Sequence, residues 1–191
     1  MNTARRYHHG NLKAAFIDAA REALETEGLR GVSLRKCAER VGVSHTAPKN
    51  HFGNMAGLLT AIVTQGYAEL AAMMVKDVGE TADRQTRRRA ALVGYVAFAE
   101  ANPALYDLMF SRDRLVNDDP DLMNEVRNCF IVLADSARDL GWHDGVENER
   151  DGKGQVALWS LVHGYAQLVN AGRFKKDNMK RLSILDVLPK V

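Results

Sequence analysis

The sequence contains little cysteine and little proline, with two cysteines and four prolines among 191 residues. Neither Cys37 nor Cys129 belongs to a Cys-x-x-Cys pair, so we expect no disulfide framework, no metal site and no bound cofactor. The chain also lacks the run of about 20 apolar residues that a membrane-spanning helix needs. Its first residues are basic and carry no apolar segment of the kind found in secretory signals. These absences favour a globular protein of the reducing cytoplasm that does not bind a membrane.

Motifs of catalysis are missing as well. We find no nucleophile elbow, no glycine-rich phosphate loop, no His-Glu-x-x-His zinc motif and no recognisable pair of catalytic carboxylates. The triplet Trp142-His143-Asp144 has no partner pattern elsewhere in the chain. We therefore predict that the protein is not an enzyme.

Net charge is small, because 26 Lys and Arg are balanced by 24 Asp and Glu. The balance is uneven along the chain. Residues 1–60 hold nine basic and five acidic residues, a net charge of +4, whereas residues 61–191 carry a net charge of −2. A basic N-terminal third favours a segment that binds a polyanion. A chance fluctuation explains the same excess, so the motifs of that segment must decide.

What the sequence does contain is helical spacing of apolar residues from end to end, without the alternation typical of strands. It predicts an all-α fold of about nine helices. Ser33, Ser44 and Asn54 are expected to cap the second, third and fourth helices, and the fourth is expected to reach about Val78. The last helix is expected over residues 178–188. We predict an N-terminal domain over residues 1–56 and a second helical domain over residues 57–191.

Two short helices joined by a tight turn are predicted between Ser33 and Phe52. Gly42 permits a positive φ at the turn, and apolar side chains on the inner faces hold the two helices together. The second of these helices keeps an outward face that is poor in apolar groups and rich in hydrogen-bond donors. Such a helix suits the reading of base edges in the major groove of double-stranded DNA.

The residues expected to contact DNA are polar or basic and lie in this motif or in a basic N-terminal arm. They are Arg5, Arg6, Tyr7, Ser33, Arg35, Ser44, His45, Thr46, Lys49, Asn50 and His51.

These residues divide by chemistry. Hydroxyl and cationic side chains at helix N-termini and in the arm suit phosphates, while the amide of Asn50 suits adenine. His45 and Thr46 are further candidates for base edges. His51 has two equally good interpretations, as a phosphate contact or as a buried structural donor.

Residues 7–67 resemble the N-terminal domain of the TetR/AcrR family of transcriptional regulators. The resemblance rests on the Tyr-His-His-Gly opening, Ala38, Gly42-Val43-Ser44, His51-Phe52 and Leu58-Leu59. The sequence departs from the family at two positions. Lys49 stands where the family usually has an aromatic residue, and Met55 stands where it usually has a lysine. In the family, that aromatic residue and that lysine commonly contact phosphate.

Residues 102–111 and 158–168 resemble the subgroup of that family with a Trp-x-x-x-His-Gly signature, here Trp159, His163 and Gly164. The resemblance implies a homodimer that pairs through its last two long helices, and a pocket for a small effector among the middle helices. The positions expected to line the pocket are Tyr95, Phe98, Leu105, Tyr106, Met109, Phe110, Met123, Phe130, Trp159 and His163. The positions expected in the dimer interface are Val162, Gly164, Ala166, Val169, Leu182 and Leu185.

Each pocket residue has an ordinary alternative, because helices need an apolar stripe to pack at all. With these alternatives open, the sequence predicts a ligand-responsive transcriptional regulator, a repressor that a small, largely apolar effector releases from a pseudo-palindromic operator. The competing hypothesis is a ligand-binding or scaffold protein of the same fold with weakened operator binding. Lys49 and Met55 are the residues that support this second hypothesis.

Overall fold

The computed structural model of the protein describes residues 9–138, 140, 152–174 and 182–188, so Arg5, Arg6 and Tyr7 lie outside the described residues. Within these ranges the chain forms eight α-helices, two 3-10 turns and no strand, which confirms the predicted all-α class. The helices are α1 (His9–Glu27), α2 (Leu34–Val41), α3 (Ala47–Phe52), α4 (Met55–Met74), α5 (Arg84–Ala101), α6 (Pro103–Met109), α7 (Pro120–Ala137) and α8 (Lys153–Asn170). The 3-10 turns span Leu29–Gly31 and Arg112–Arg114.

Side-chain caps begin three of the helices, and two of these caps, Ser33 and Asn54, are the ones that the sequence predicts. Ser33 Oγ accepts the Lys36 N–H at 3.1 Å at the start of α2. Asn54 Oδ1 accepts the Gly57 N–H at 3.1 Å at the start of α4. Asp83 does the same for α5 through Thr86. Each cap satisfies a backbone donor that the first turn of a helix leaves without a partner.

The start of α3 differs from the prediction. Ser44 does not cap this helix, because residues 44–47 form a tight turn in which the Ala47 N–H donates to the Ser44 carbonyl at 3.0 Å. Ser44 Oγ accepts the Thr46 N–H at 3.2 Å and shares a hydrogen bond with the Thr46 hydroxyl at 2.7 Å. The serine therefore stabilises the turn, and the helix begins two residues later than a Ser44 cap implies.

Two further boundaries were predicted wrongly. Helix α4 ends at Met74 rather than near Val78, and Asp77 follows with a positive φ of 59°. Of the last helix expected over residues 178–188, residues 178–181 lie outside the described residues, and residues 182–188 form turns and bends. There the Asp186 carboxylate accepts the Ser183 N–H at 2.7 Å, a local bond that competes with helical pairing.

The chain forms two compact units, and each combines separate stretches of sequence. The first unit contains the chain up to Gly66 together with Ala104–Leu122, and the second contains Tyr67–Pro103 together with the chain from Met123 onward. The predicted functional boundary at residue 56 is a different kind of division and stays a prediction.

In the first unit, α1 packs through buried side chains that include Phe16, Ala20 and Leu24. Polar side chains tie α6 and the loop after it to this core. The Glu25 carboxylate accepts the Leu105 N–H at 2.9 Å and the Ala104 N–H at 3.3 Å, which satisfies the first turn of α6. Buried Thr60 accepts the Val116 N–H at 2.9 Å.

In the second unit, two hydrogen bonds join α5 to α8. Tyr95 Oη lies 3.1 Å from His163 Nδ1, and Asn170 Nδ2 donates to the Ala99 carbonyl at 3.0 Å. Arg88 donates to the Ser136 carbonyl at 2.6 Å, near the end of α7, so this arginine has a structural partner. None of the described helices combines the length and apolarity that crossing a membrane requires.

Candidate nucleic-acid interface

The turn between α2 and α3 has the geometry that the sequence predicts. Gly42 lies in the left-handed region at φ 76° and ψ 34°, which a residue with a Cβ rarely adopts. Its N–H donates to the Ala38 carbonyl at 2.9 Å, and the Val43 N–H donates to the same carbonyl at 3.0 Å. These bonds close the end of α2 and turn the chain sharply toward α3.

Helix α3 is short and exposes most of its polar residues. Pro48 is buried, whereas Lys49 and Asn50 are exposed, as are His45 and Thr46 in the tight turn that precedes the helix. A six-residue helix that buries a proline and exposes its polar side chains gains little from packing on its own. The exposed set is the one predicted to face base edges and phosphates.

His51 is exposed, which excludes its interpretation as a buried structural donor. Its ring centroid nevertheless lies 5.9 Å from that of buried Phe16. Phe52 contacts the same ring edge-to-face at 6.0 Å. One edge of α3 is thus fixed on α1 by aromatic contacts, while the polar side chains remain in solvent.

The junction between α3 and α4 leaves no room for a side chain. A Cβ added at Gly57 would lie 2.0 Å from the Phe52 carbonyl oxygen. Gly53, between the helices, has a φ of 70°, and its N–H donates to the Lys49 carbonyl at 2.9 Å. Because backbone contacts backbone here, the position of α3 on the start of α4 is closely defined.

Several cations of this region are paired within the protein. Glu27 receives Lys36 Nζ at 3.1 Å and Arg40 Nη2 at 2.5 Å. The hydrogen bond and charge of Lys36 hold the pKa of the Glu27 carboxyl below its usual range. The net charge of +4 therefore overstates the number of cations that are free to meet a polyanion.

Lys49 and Arg35 differ from that paired group. Arg35 Nε lies 3.0 Å from Glu39 Oε1, but the arginine side chain is 78% exposed, so the pair is weak and easily exchanged. Lys49 makes no ion pair with any residue in the described part of the chain. Among the described residues, Lys49 therefore has no acidic partner that competes with a phosphate.

The residues predicted to line an effector pocket are divided between the two units. Leu105, Tyr106, Met109 and Phe110 belong to the first unit, and the others belong to the second. Tyr95, Phe98, Leu105, Tyr106 and Met109 are almost fully buried, as core residues are, whereas Met123 is 51% exposed. The pocket itself stays a prediction.

Within the second unit, the side chains of the predicted signature do lie together. The Phe130 and Trp159 ring centroids are 5.2 Å apart, and those of Trp159 and His163 are 6.2 Å apart. His163 is also hydrogen-bonded to Tyr95, and burial lowers the pKa of its imidazole. This histidine is therefore an interior residue with a polar partner.

The predicted dimer residues do not share one surface. Val162 and Ala166 are fully buried inside this single chain, so they have no surface to present to a partner. The prediction placed the interface on the buried side of α8, whereas the exposed side of this helix carries Val156, Ser160 and Leu168. Gly164 lies on the same stripe, and a Cβ there would meet no atom within 4 Å. Val169 and Leu185 are partly exposed and Leu182 is 50% exposed.

Sequence analysis missed the residues that join distant segments. Glu25 and Thr60 bond to backbone groups that lie 79, 80 and 56 positions further along the chain. No pattern in the neighbouring sequence predicts hydrogen bonds to partners so far along the chain. Gly57 offered a faint signal, because a glycine just inside a helix is unfavourable unless a close approach requires it.

Comparison with known protein families gives two matches that together span most of the chain. Residues 16–62 match the family model described as bacterial regulatory proteins, tetR family. Residues 88–184, about half of the chain, match the model described as tetracyclin repressor-like, C-terminal domain.

Individual relatives agree with these matches. The chain is 24% identical over 170 residues to the uncharacterized HTH-type transcriptional regulator YobS of Bacillus subtilis (strain 168), covering 88% of this chain and 84% of the relative. It is 30% identical over 112 residues to the nucleoid occlusion factor SlmA of Vibrio cholerae, covering 55% and 57% of the two chains. A solved structure of a protein of unknown function from Rhodococcus sp. RHA1 superposes with a TM-score of 0.73 at 26% identity, covering 91% of this chain and 90% of that one.

Proposed function

Because the chain belongs to the TetR family of bacterial transcriptional regulators, we propose that it is a ligand-responsive repressor that binds its operator as a homodimer. Regulators of this family bind DNA and act as dimers, and this assignment points away from an enzyme. The repressing role, the operator and the effector belong to the proposal.

The observation that carries the proposal is the exposed polar surface formed by α3 and the tight turn before it. His45, Thr46 and Asn50 offer donors and acceptors to base edges, and Lys49 offers an unpaired cation to a phosphate. The turn at Gly42 and the close contact at Gly57 set the direction of this face. Rigid support is what a reading helix needs, because base-edge hydrogen bonds tolerate little displacement.

The exposed side of α8 supports a dimer. Val156, Ser160, Gly164 and Leu168 follow one another every four residues, so they form a single stripe along the helix. Val156 and Leu168 are large apolar residues that are 57% and 48% exposed. Gly164, which lies between them, lets a second helix approach closely. In a symmetric dimer each subunit places one α3 in a major groove, about 34–36 Å apart or a multiple of that on a pseudo-palindrome.

The effector side of the proposal rests on the second unit. Trp159, His163 and Gly164 match the signature of the subgroup that the sequence resembles, and Phe130, Trp159 and His163 lie in contact with one another. We propose that a small, largely apolar effector binds beside this cluster and favours a dimer whose two α3 helices no longer match the operator. Such an effector needs only a preference for that state, with a coupling of about 1–3 kcal/mol.

The test is a titration of the full-length protein with promoter DNA fragments across a range of salt concentrations. A specific regulator binds one site in preference to random DNA, with a steep negative slope of log K against log salt. Lys49→Ala should weaken binding to every sequence and reduce the slope by about one. Lys76→Ala removes the same charge from an exposed site outside the interface and should change neither. Weak binding without sequence preference would instead support the scaffold alternative.

A further inference from the structure

A cavity of roughly 370 Å³ opens in the first unit. Its apolar wall comes from Leu29 and Val32, at the 3-10 turn before α2, and from Met55, Ala56 and Leu59 in the first turns of α4. Asp113 and Arg114, from the 3-10 turn after α6, complete the lining. The volume lies at the lower end of the range for small-molecule sites. None of these residues belongs to the predicted effector pocket.

Arg114 is the group in this cavity that selects a ligand. Its Nε lies 4.0 Å from Asp113 Oδ2, and the two side chains are 50% and 79% exposed, so this ion pair is weak. Within the described part of the chain, its side chain makes no other ion pair or hydrogen bond. Nη1 and Nη2 are therefore available, and a guanidinium binds a carboxylate through two parallel hydrogen bonds.

We propose that this cavity binds a small monocarboxylate with an apolar body. The carboxylate lies on the terminal nitrogens of Arg114, and the body covers the wall formed by Leu29, Val32, Met55 and Leu59. The single positive charge of Arg114 compensates one carboxylate, and Asp113 beside it disfavours a second negative group. Removing the apolar body of the ligand from water supplies the rest of the affinity.

The site adjoins the segments that hold α3. Val32 directly precedes Ser33, the cap of α2, while Met55 and Ala56 directly precede Gly57, whose Cα lies against the Phe52 carbonyl. A ligand on this wall therefore contacts the chain neighbours of both supports of the recognition helix. Coupling between ligand and DNA rests on the proposed function, and linkage requires each to change the affinity of the other by the same factor.

The experiment follows the methyl resonances of Met55, Val32 and Leu59 in the full-length, DNA-free protein during titration with octanoate. We expect saturable shifts at these methyls, and binding at least tenfold weaker for 1-octanol and octylamine. Arg114→Gln should weaken octanoate binding about tenfold or more, since it removes a charged hydrogen-bond partner. Arg112→Gln is the matched control, because Arg112 lies in the same turn, bonds to Asn117 Oδ1 and does not line the cavity.

A second variant tests the apolar wall. Ala56→Leu fills the cavity, and it should abolish octanoate binding while the melting temperature stays close to that of the wild type. The proposal is overturned if 1-octanol binds as tightly as octanoate, or if Arg112→Gln and Arg114→Gln lose equal affinity. It also fails if Arg114→Gln leaves octanoate binding intact and weakens DNA binding, which would make Arg114 a phosphate contact. Because the probe is measured without DNA, an absence of operator binding leaves this test unaffected.

Discussion

Asn50 has the chemistry to recognise one base in the proposed interface. Its side chain is exposed and makes no hydrogen bond within the described part of the chain, so both the donor and the acceptor of its amide face solvent. An amide of this kind pairs with both N6 and N7 of adenine, and no other base presents the same pattern in the major groove.

Asn50→Ala should therefore cost about 1–3 kcal/mol of operator binding and relax the preference at one base pair in each half-site. The measurement is a binding assay against an operator series with single substitutions. Asn124→Ala, at an exposed position on α7, provides the comparison and should leave the preference intact. A specificity profile of Asn50→Ala that matches the wild type would remove Asn50 from the reading residues.

Protonation of the His163 imidazole is expected to lower the stability of the folded protein. Burial lowers its pKa below the ordinary value of 6.5, so the unfolded chain binds the proton more tightly than the folded chain does. The contribution of neutral His163 is complete above about pH 6.5 and is lost as the pH falls toward the lowered pKa.

We expect the free energy of unfolding, measured by urea titration, to fall as the pH drops below about 6.5, and to fall more steeply in the wild type than in His163→Gln. Glutamine keeps a hydrogen-bonding group near Tyr95 but does not titrate. Equal slopes in the wild type and in His163→Gln would show that this histidine does not carry the effect.

The close contact between α3 and α4 depends on the glycine at position 57, which has no side chain. In an open helix, replacing glycine with alanine is stabilising by about 1 kcal/mol. At Gly57 the sign should reverse, because the new Cβ would lie 2.0 Å from the Phe52 carbonyl oxygen and the backbone must move to admit it.

Gly57→Ala should destabilise the protein by about 1–3 kcal/mol in denaturant titration and weaken specific DNA binding. Gly79→Ala makes the same chemical change where a Cβ meets no atom within 4 Å, and we expect it to be nearly neutral. An unaltered stability and DNA affinity for Gly57→Ala would mean that the contact does not fix α3.

The helices that local signals define were predicted well. Ser33 and Asn54 cap where expected because each needs only a backbone N–H three residues ahead. Ser44 misled because its hydroxyl had a competing partner in the tight turn of residues 44–47. The exposed side of α8 was also predicted wrongly. The spacing of the sequence shows that Val162 and Val156 lie on different sides of the helix, but it does not show which side another helix covers. The fold was therefore largely predictable, whereas the cavity lined by Arg114 depends on segments that only folding brings together.

At the scale of the whole molecule, the proposed mechanism requires two subunits. Light scattering should give twice the subunit mass of 21.2 kDa. Leu168→Glu places a charge in the exposed α8 stripe and should shift the protein toward the monomer, with loss of operator binding. Val75→Glu introduces the same charge at another exposed apolar site, 50% exposed, and should remain dimeric. A stable wild-type monomer would contradict the spacing mechanism.

The discontinuity of the first unit has a consequence for synthesis on the ribosome. The helices that carry the proposed DNA-reading face emerge first, but the partners of Glu25 and Thr60 belong to residues 104–116, which are translated only after all of α5. At about 5–20 residues per second, the nascent chain spends several seconds with these groups unsatisfied. Native packing of this unit is therefore a late event. A nascent chain arrested in α5 should expose the side of α4 at Gly66, against which Leu105 and Met109 of α6 later pack.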